Sequence, residues 1–295
     1  METHKIITYI TLFMGATLLG TSCVKDELFK TSHPAQGAVK ITVDWSKRSS
    51  ESRLPGEYTL RIIGQGEVNV TESATVYPSL FEPGKYELLA FNSPSGFEIK
   101  GNTATVLTLA SGTMLPVPGY LFSGQQQLYV QKDDTLQVTV GMRQLVRQLT
   151  FVLKLEPGEE NRLKKLEATL EGIIPSVNLL SGETEAVTGG RLNMIFEPTD
   201  PPTDDKGKTM YATTLRILGG MPFERQLLTV QMTLNDSYKD RVVTDLSDIM
   251  KNFAASREPL VLEADLGLPI SLGVSGSIND WKPGLPEGNG EVSAE

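Results

Sequence analysis

A single cysteine and two histidines in 295 residues remove most pre-formed side-chain chemistry before any folding argument begins. One thiol cannot close an internal disulfide, and two imidazoles, one of them His4, cannot furnish a multi-histidine metal site. Basic residues are also in short supply. Lys and Arg number 27 against 36 Asp and Glu, a formal net charge of -9, which is the wrong balance for displacing counterions from a phosphate backbone. Nucleic acid is therefore excluded as a partner. The Gly-x-Ser-x-Gly, P-loop and Gly-x-Gly-x-x-Gly fingerprints are missing, as is the Asp-x-Asp-x-Asp-Gly run of a calcium loop. No cofactor, metal site or catalytic residue is expected, and the chain does not read as an enzyme. At 39% hydrophobic and 21% charged residues, it has the composition of a globular protein.

The N-terminus is the one strongly apolar stretch. Lys5 opens it, Ile6 to Leu19 is mostly apolar, and the small residues Gly20, Thr21 and Ser22 lead into Cys23. The run falls short of the roughly 20 residues that span a bilayer, so it reads as an export signal over residues 1–22. The only cysteine directly after it resembles a bacterial lipoprotein signal, in which Cys23 would be acylated and become the mature N-terminus. An ordinary secretory peptide with an unrelated cysteine is the other reading, and Gly20 stands where lipoprotein signals most often carry Leu. Lys25, Asp26 and Glu27 follow, resembling the signal that exposes lipoproteins on the outer membrane of Gram-negative anaerobes; alternatively they are solvated charges in a tether. Acyl chains at one site hold a soluble domain durably, at about 0.8 kcal/mol per buried methylene.

Residues 23–37 read as that tether, polar and broken by His33, Pro34 and Gly37. From Ala38 onward the dominant signal is period-two alternation. Val39, Ile41, Val43 and Trp45 share one face, and Lys40, Thr42 and Asp44 the other. Similar segments are expected at 57–63, 85–91, 104–109, 127–131 and 135–140, then at 149–155, 165–170, 176–180, 192–196, 210–218, 227–234, 260–266 and 271–278. Pro-Gly clusters punctuate the first series. One segment has helical period: Leu246, Ile249, Met250 and Phe253, with Thr244 and Asp245 as cap candidates. Thr199 to Lys208 is expected as an exposed loop. The expected architecture is all-β: two consecutive β-sandwich domains, 38–146 and 147–282, with one short helix in the second and a flexible tail over 283–295. No sequence repeat is evident.

Constellations that could carry chemistry are sparse. His33 lies in the tether, a poor place for a triad base. Two carboxylates about 5–10 Å apart would serve a glycosidase, yet Asp133-Asp134, Glu159-Glu160 and Asp204-Asp205 all adjoin turns and read as solvated pairs. Trp45, Tyr58, Tyr86, Tyr129 and Trp281 could form a sugar-stacking platform, or serve as core and sheet-surface residues. A carbohydrate-binding surface lipoprotein of a glycan-uptake system is accordingly the alternative function. Asp134-Thr135-Leu136 resembles a short O-glycosylation signal, with Thr135 otherwise simply opening a strand.

Several of these segments together resemble the fimbrillin superfamily, subunits of type V pili, and more closely its anchor or minor-subunit branch. They are the lipoprotein start, Val43-Asp44-Trp45-Ser46, the run Pro83 to Asn92, Leu121-Phe122-Ser123-Gly124 continuing through Val138-Thr139-Val140 to Arg147-Gln148-Leu149-Thr150-Phe151, and the terminal Ile278-Asn279-Asp280-Trp281. The resemblance implies two transthyretin-like sandwiches in a structural or adhesive subunit joined to other pilus subunits by donor-strand exchange. It implies a lipid anchor in the outer membrane, a place in the fimbrium at the cell surface, and contact with a host or bacterial surface ligand. In the polymerising branch an Arg-cutting protease removes an N-terminal segment. Arg48 and Arg53, just after the first strand, are the positions here that would serve, unless they are ordinary loop arginines. The Pro-, Gly- and Glu-containing tail looks a poor donor strand, which favours an anchor or end subunit.

Overall fold

The computed structural model describes residues 34–270 and 275–284. The chain divides into Met1–Ala35 and Gln36–Glu295, and the fold below is that of the second unit. The export segment, Cys23, Lys25, Asp26 and Glu27 lie outside the described residues.

The first half contributes β1 (Ala38–Asp44), β2 (Tyr58–Ile62), β3 (Gly66–Val70), β4 (Ala74–Val76), β5 (Gly84–Phe91), β6 (Phe97–Lys100), β7 (Thr103–Val106), β8 (Phe122–Val130), β9 (Thr135–Gly141) and β10 (Arg143–Gln144). The second contributes β11 (Arg147–Leu155), β12 (Leu163–Ile173), β13 (Ser176–Asn178), β14 (Gly190–Ile195), β15 (Glu197–Thr203), β16 (Thr209–Ile217), β17 (Leu227–Leu234), β18 (Lys239–Asp245), β19 (Leu260–Gly267), β20 (Ser277–Ile278) and β21 (Lys282–Pro283). One short helix, α1 (Ser247–Met250), follows β18.

Alternation explains the strands. In β1, Val39, Ile41 and Val43 are buried while Lys40 and Thr42 are exposed, the period of a sheet with one dry face. Helix α1 is short because its apolar side chains, Leu246, Met250 and Phe253, are spent within two turns. β18 runs through both expected cap residues, so Leu246 takes the cap position, and the Asp245 carboxylate accepts the Ser247 N–H at 3.0 Å.

Three boundaries differ from expectation. The stretch Thr199 to Lys208, read as a loop, begins inside the edge strand β15 (Glu197–Thr203), with a register shift between Pro198 and Thr203; prolines are tolerated where a strand faces no further neighbour. The tail begins later than 283, since Pro283 pairs with Leu262, and residues 285–295 lie outside the described ones. The tether stops short of Gly37, whose N–H donates to Phe81 O while Phe81 N–H donates back. A Cβ at Gly37 would lie 2.2 Å from Gln131 O, so only glycine fits.

Sheet order exposes a duplication of topology that residue identities conceal. In the first half β8-β5-β2-β3 forms one sheet, with β10 beside β8, and β4-β1-β9 the other. In the second, β18-β17-β12-β14 forms one sheet, and β16-β11-β19 the core of the other. Each half opens with a strand (β1, β11) antiparallel to one neighbour (β4, β16) and parallel to the half's last long strand (β9, β19). Each half is thus an all-β sandwich of the same plan. One core gathers Ile41, Leu60, Leu88, Phe122 and Val140; the other gathers Phe151, Leu170, Leu192, Val230 and Leu262. The β6–β7 hairpin and Met114 belong to the second core, and β7 pairs with β13, so this insertion of the first half seals against the second.

Candidate assembly site

The first strand is the middle of its sheet, hydrogen-bonded to β4 on one edge and over seven residues to β9 on the other. Val39 and Ile41 are fully buried and Val43 is 4% exposed. At about 1.5–3 kcal/mol for each buried branched side chain, these three contribute roughly 5–9 kcal/mol. A groove shaped to β1 therefore exists, and β1 fills it. Asp44 ends the strand by accepting the Ser46 N–H at 2.9 Å and its hydroxyl at 3.0 Å, and that backbone N–H, then the hydroxyl, hold its carboxyl below the usual range.

Arg48 and Arg53 lie on one loop but in unlike settings. Arg48 donates to Ser52 O at 2.7 Å. The next residue, Ser49, is buried, and its N–H donates to Gln144 Oε1 at 2.8 Å. Gln144 Nε2 donates to Val146 O at 2.8 Å, so one buried amide ties the loop to the connection between the sandwiches. Ser50 adds a hydroxyl hydrogen bond to Glu258 at 2.9 Å. Arg53 and Leu54, by contrast, are exposed and make no hydrogen bond among the described residues. Nothing periodic marks Gln144, Ser50 or Glu258, and sequence reasoning passed over all three.

Equivalent edges of the two sandwiches are finished differently. The outer edge of β19 is covered by the chain's own C-terminal segment: β20 pairs Ile278 with Leu266, and β21 pairs Lys282 with Glu263. Between them Trp281, 8% exposed, packs edge-on against Phe151 with ring centroids 5.2 Å apart. The corresponding edge of β9 has no strand beside it among the described residues, and Leu136 and Val138 on β9 are only half-buried.

The remaining sequence candidates are not brought together. Thr135 is exposed at the start of β9, with its N–H on the Asp134 carboxylate. Trp45 and Tyr58 meet at 5.7 Å, but Trp45 turns its other contact onto the buried Phe122. Tyr86 packs on Phe81 and Trp281 on Phe151, leaving Tyr129 alone exposed, at 54%; no stacking platform results. Of the acidic pairs, Glu159 bonds Arg162 and Glu160 accepts the Gly158 N–H. Asp204 accepts the N–H groups of Lys206 and Lys208, which with Lys154 and Lys208 nearby lowers its pKa. Glu159, Glu160, Asp134 and Asp204 are each engaged in shaping their own turns. Among the described residues no group of three or more His, Cys, Asp or Glu could hold a metal, and no helix is long and apolar enough to cross a membrane.

Comparison with known proteins follows the fold. The model of the family described as fimbrillin-A associated anchor proteins Mfa1 and Mfa2 matches residues 37–283. The fimbrial anchor protein Mfa2 from Porphyromonas gingivalis superposes with a TM-score of 0.60 at 10% identity, covering 84% of this chain and 97% of that one. A Bacteroides thetaiotaomicron structure provisionally described as an adhesin gives 0.57 at 13% identity, covering 85% and 98%. A similarly described one from Bacteroides ovatus gives 0.59 at 10% identity, covering 85% and 96%. At such identities the structural likeness is one of fold. No curated protein matches by sequence.

Proposed function

Because the chain belongs to the family of fimbrillin-A associated anchor proteins, a family of fimbrial components, we propose that it is a lipid-anchored anchor or accessory subunit of a fimbria, joined to its neighbour by β-strand addition at β9. On this reading Cys23 carries the acyl chains, Lys25, Asp26 and Glu27 direct the protein to the outer face of the outer membrane, and residues 38–146 and 147–282 act as two domains. The observation that carries the strand-addition site is the contrast between equivalent edges. β19 is closed by β20, Trp281 and β21, whereas β9 offers unpaired backbone groups above half-buried Leu136 and Val138. An incoming strand would satisfy those groups and cover those side chains together. The filled first groove and the pinned Ser49–Ser50 loop support retention of β1, as an anchor requires.

Two experiments test it. Gln137→Cys, in the otherwise cysteine-poor mature chain, should cross-link β9 to a neighbouring subunit in native fimbriae. Cross-linking instead from Glu67→Cys on β3 or Arg241→Cys on β18, with none from β9, would move the joint elsewhere. For the anchor, Cys23→Ala should leave the fold intact but shift the protein out of the membrane fraction; unchanged fractionation with no acyl mass on the native protein would remove the lipid from the proposal.

A further inference from the structure

A pocket of about 300 Å³ opens where the connection 143–147 meets the 174–184 segment and the turn after α1. Its charged groups are arranged against their own interest. Arg143 and Arg257 both line it, and neither guanidinium makes a hydrogen bond or ion pair among the described residues. Arg143 Nε is buried without a partner among the described residues, an arrangement that costs free energy unless a further group satisfies it. Burial, and next the charge of Arg257, lower the pKa of Arg143. Gly182, at φ +78°, makes room for that guanidinium, since a Cβ there would lie 2.5 Å from Arg143 Nη2. Glu183 lines the pocket too, but forms no ion pair with either arginine among the described residues.

Three hydroxyls also line the pocket. Ser181 Oγ accepts the Glu183 N–H, Thr184 Oγ1 the Ala186 N–H, and Ser256 Oγ the Glu258 N–H. Each therefore still has its O–H proton to donate. Two guanidinium groups and these three hydroxyls line the same pocket, a donor-rich lining of the kind that suits an oxyanion. The walls are aliphatic, with Leu145, Val177 and Leu218, which suits a carboxylate carried on a short methylene stem better than a bare, heavily hydrated phosphate. A sugar acid would want a free aromatic face. The one ring present, Phe253, is 1% exposed and covered by the Arg147 guanidinium at 4.9 Å from its centroid.

We infer that this pocket binds the carboxylate of an acidic peptide residue, held between Arg143 and Arg257. Two sources share that chemistry. One is an acidic segment of another polypeptide. The other is residues 285–295 of this chain, which carry Glu287, Glu291 and Glu295 and no Lys or Arg; they follow Gly284, whose N–H is bonded to Val261 O, four residues from Arg257.

The test uses the mature chain and N-acetyl-glutamate methylamide, followed by calorimetry and amide chemical shifts. Saturable binding is expected, weakened about ten-fold or more by Arg143→Gln or Arg257→Gln, the factor for one charge-assisted hydrogen bond, and unchanged by Arg241→Gln. The glutamine analogue should not bind. In a chain ending at Gly284, where no resident carboxylate is left, the two arginine variants should melt no lower than that parent, because each removes a like-charge contact; a purely structural pair would lower the melting temperature and leave the probe unbound. No saturable binding, binding indifferent to both arginines, or binding of glucuronate or inorganic phosphate in preference to the glutamyl probe would overturn the assignment. A chain ending at Gly284 separates the sources: tighter probe binding there identifies the tail as the resident carboxylate, and equal binding identifies another polypeptide.

Discussion

Trp281→Ala should open the one edge that the protein closes by itself. The indole is 8% exposed against Phe151, and burial of a tryptophan's 150–250 Å² at about 25 cal/mol per Å² is worth roughly 4–6 kcal/mol. Its Nε1–H, however, is buried without a partner, a cost of about 1–3 kcal/mol, so the net loss on truncation is about 3 kcal/mol. Two short ladders, Ile278 with Leu266 and Lys282 with Glu263, and the Gly276 N–H donated to Asp240 Oδ2 at 2.6 Å also fasten the segment. Against an ordering entropy of about 1–2 kcal/mol per residue, they do not hold it alone. The substitution should therefore release 275–284 while β11, β12 and β17 stay folded. Hydrogen exchange read by mass spectrometry reports this directly: peptides covering 275–284 and the outer edge of β19 should lose protection, and the β12–β17 pairing should keep it. Retained protection of 275–284 would refute the claim that Trp281 is the fastener, and loss of protection throughout the second sandwich would refute its being a separable edge.

Limited trypsin digestion should cut after Arg53 well before Arg48, because the Ser49 amide is bonded to Gln144 and Ser49 is buried; N-terminal sequencing of the early product decides, and β1 should remain bound after the cut. Gln144→Ala removes partners from the Ser49 N–H and the Val146 carbonyl and should cost about 1–3 kcal/mol in urea unfolding, with the rate of cutting after Arg48 rising in parallel. Asp245, pulled from 3.8 to about 2 by the Ser247 hydroxyl and N–H and by Arg225, has a depressed folded pKa. Its contribution is complete above pH 4 and disappears as pH falls toward 2; exchange of the Ser247 amide, followed by NMR through that window, should rise only at the low end.

How far the sequence was legible depends on where each residue's energy comes from. β1, β5, β11 and β17 alternate because one face of each is dry, and that pattern is written in consecutive residues. β18 was missed because Lys239–Asp245 is exposed on one face and only half-buried on the other. β15 was missed because it carries three prolines, a spelling that only an edge allows. The duplication was invisible because the two sandwiches share strand order and direction, which pairing determines, without sharing residues. Trp281 was visible as a family-like ending, but its insertion against Phe151 was not, since the two are 130 positions apart and meet only when β11 and the C-terminal segment flank β19. Arg143 and Arg257 likewise signal nothing locally; their meaning is the absence of a partner, which a sequence cannot display.

The closed and open edges also bear on which kind of subunit this is. A subunit that propagates a filament must present one accepting surface and one donating segment, so that every contact is heterologous and the chain does not close. Here the segment best placed to be donated, 275–284, is folded back on β19 and secured by Trp281, and the first groove is occupied by β1. Among the described residues the β9 edge, the counterpart of the one closed on β19, is left open to accept. A molecule that accepts without donating terminates a filament, and with acyl chains on Cys23 it would do so at the membrane. The Trp281 variant then discriminates beyond stability: if retention of 275–284 is what prevents propagation, releasing it should let purified Trp281→Ala protein associate with itself through the freed segment, whereas the parent chain stays monomeric at the same concentration. Monomeric Trp281→Ala protein with a demonstrably released segment would show that the proposed anchor role rests on something other than this closure.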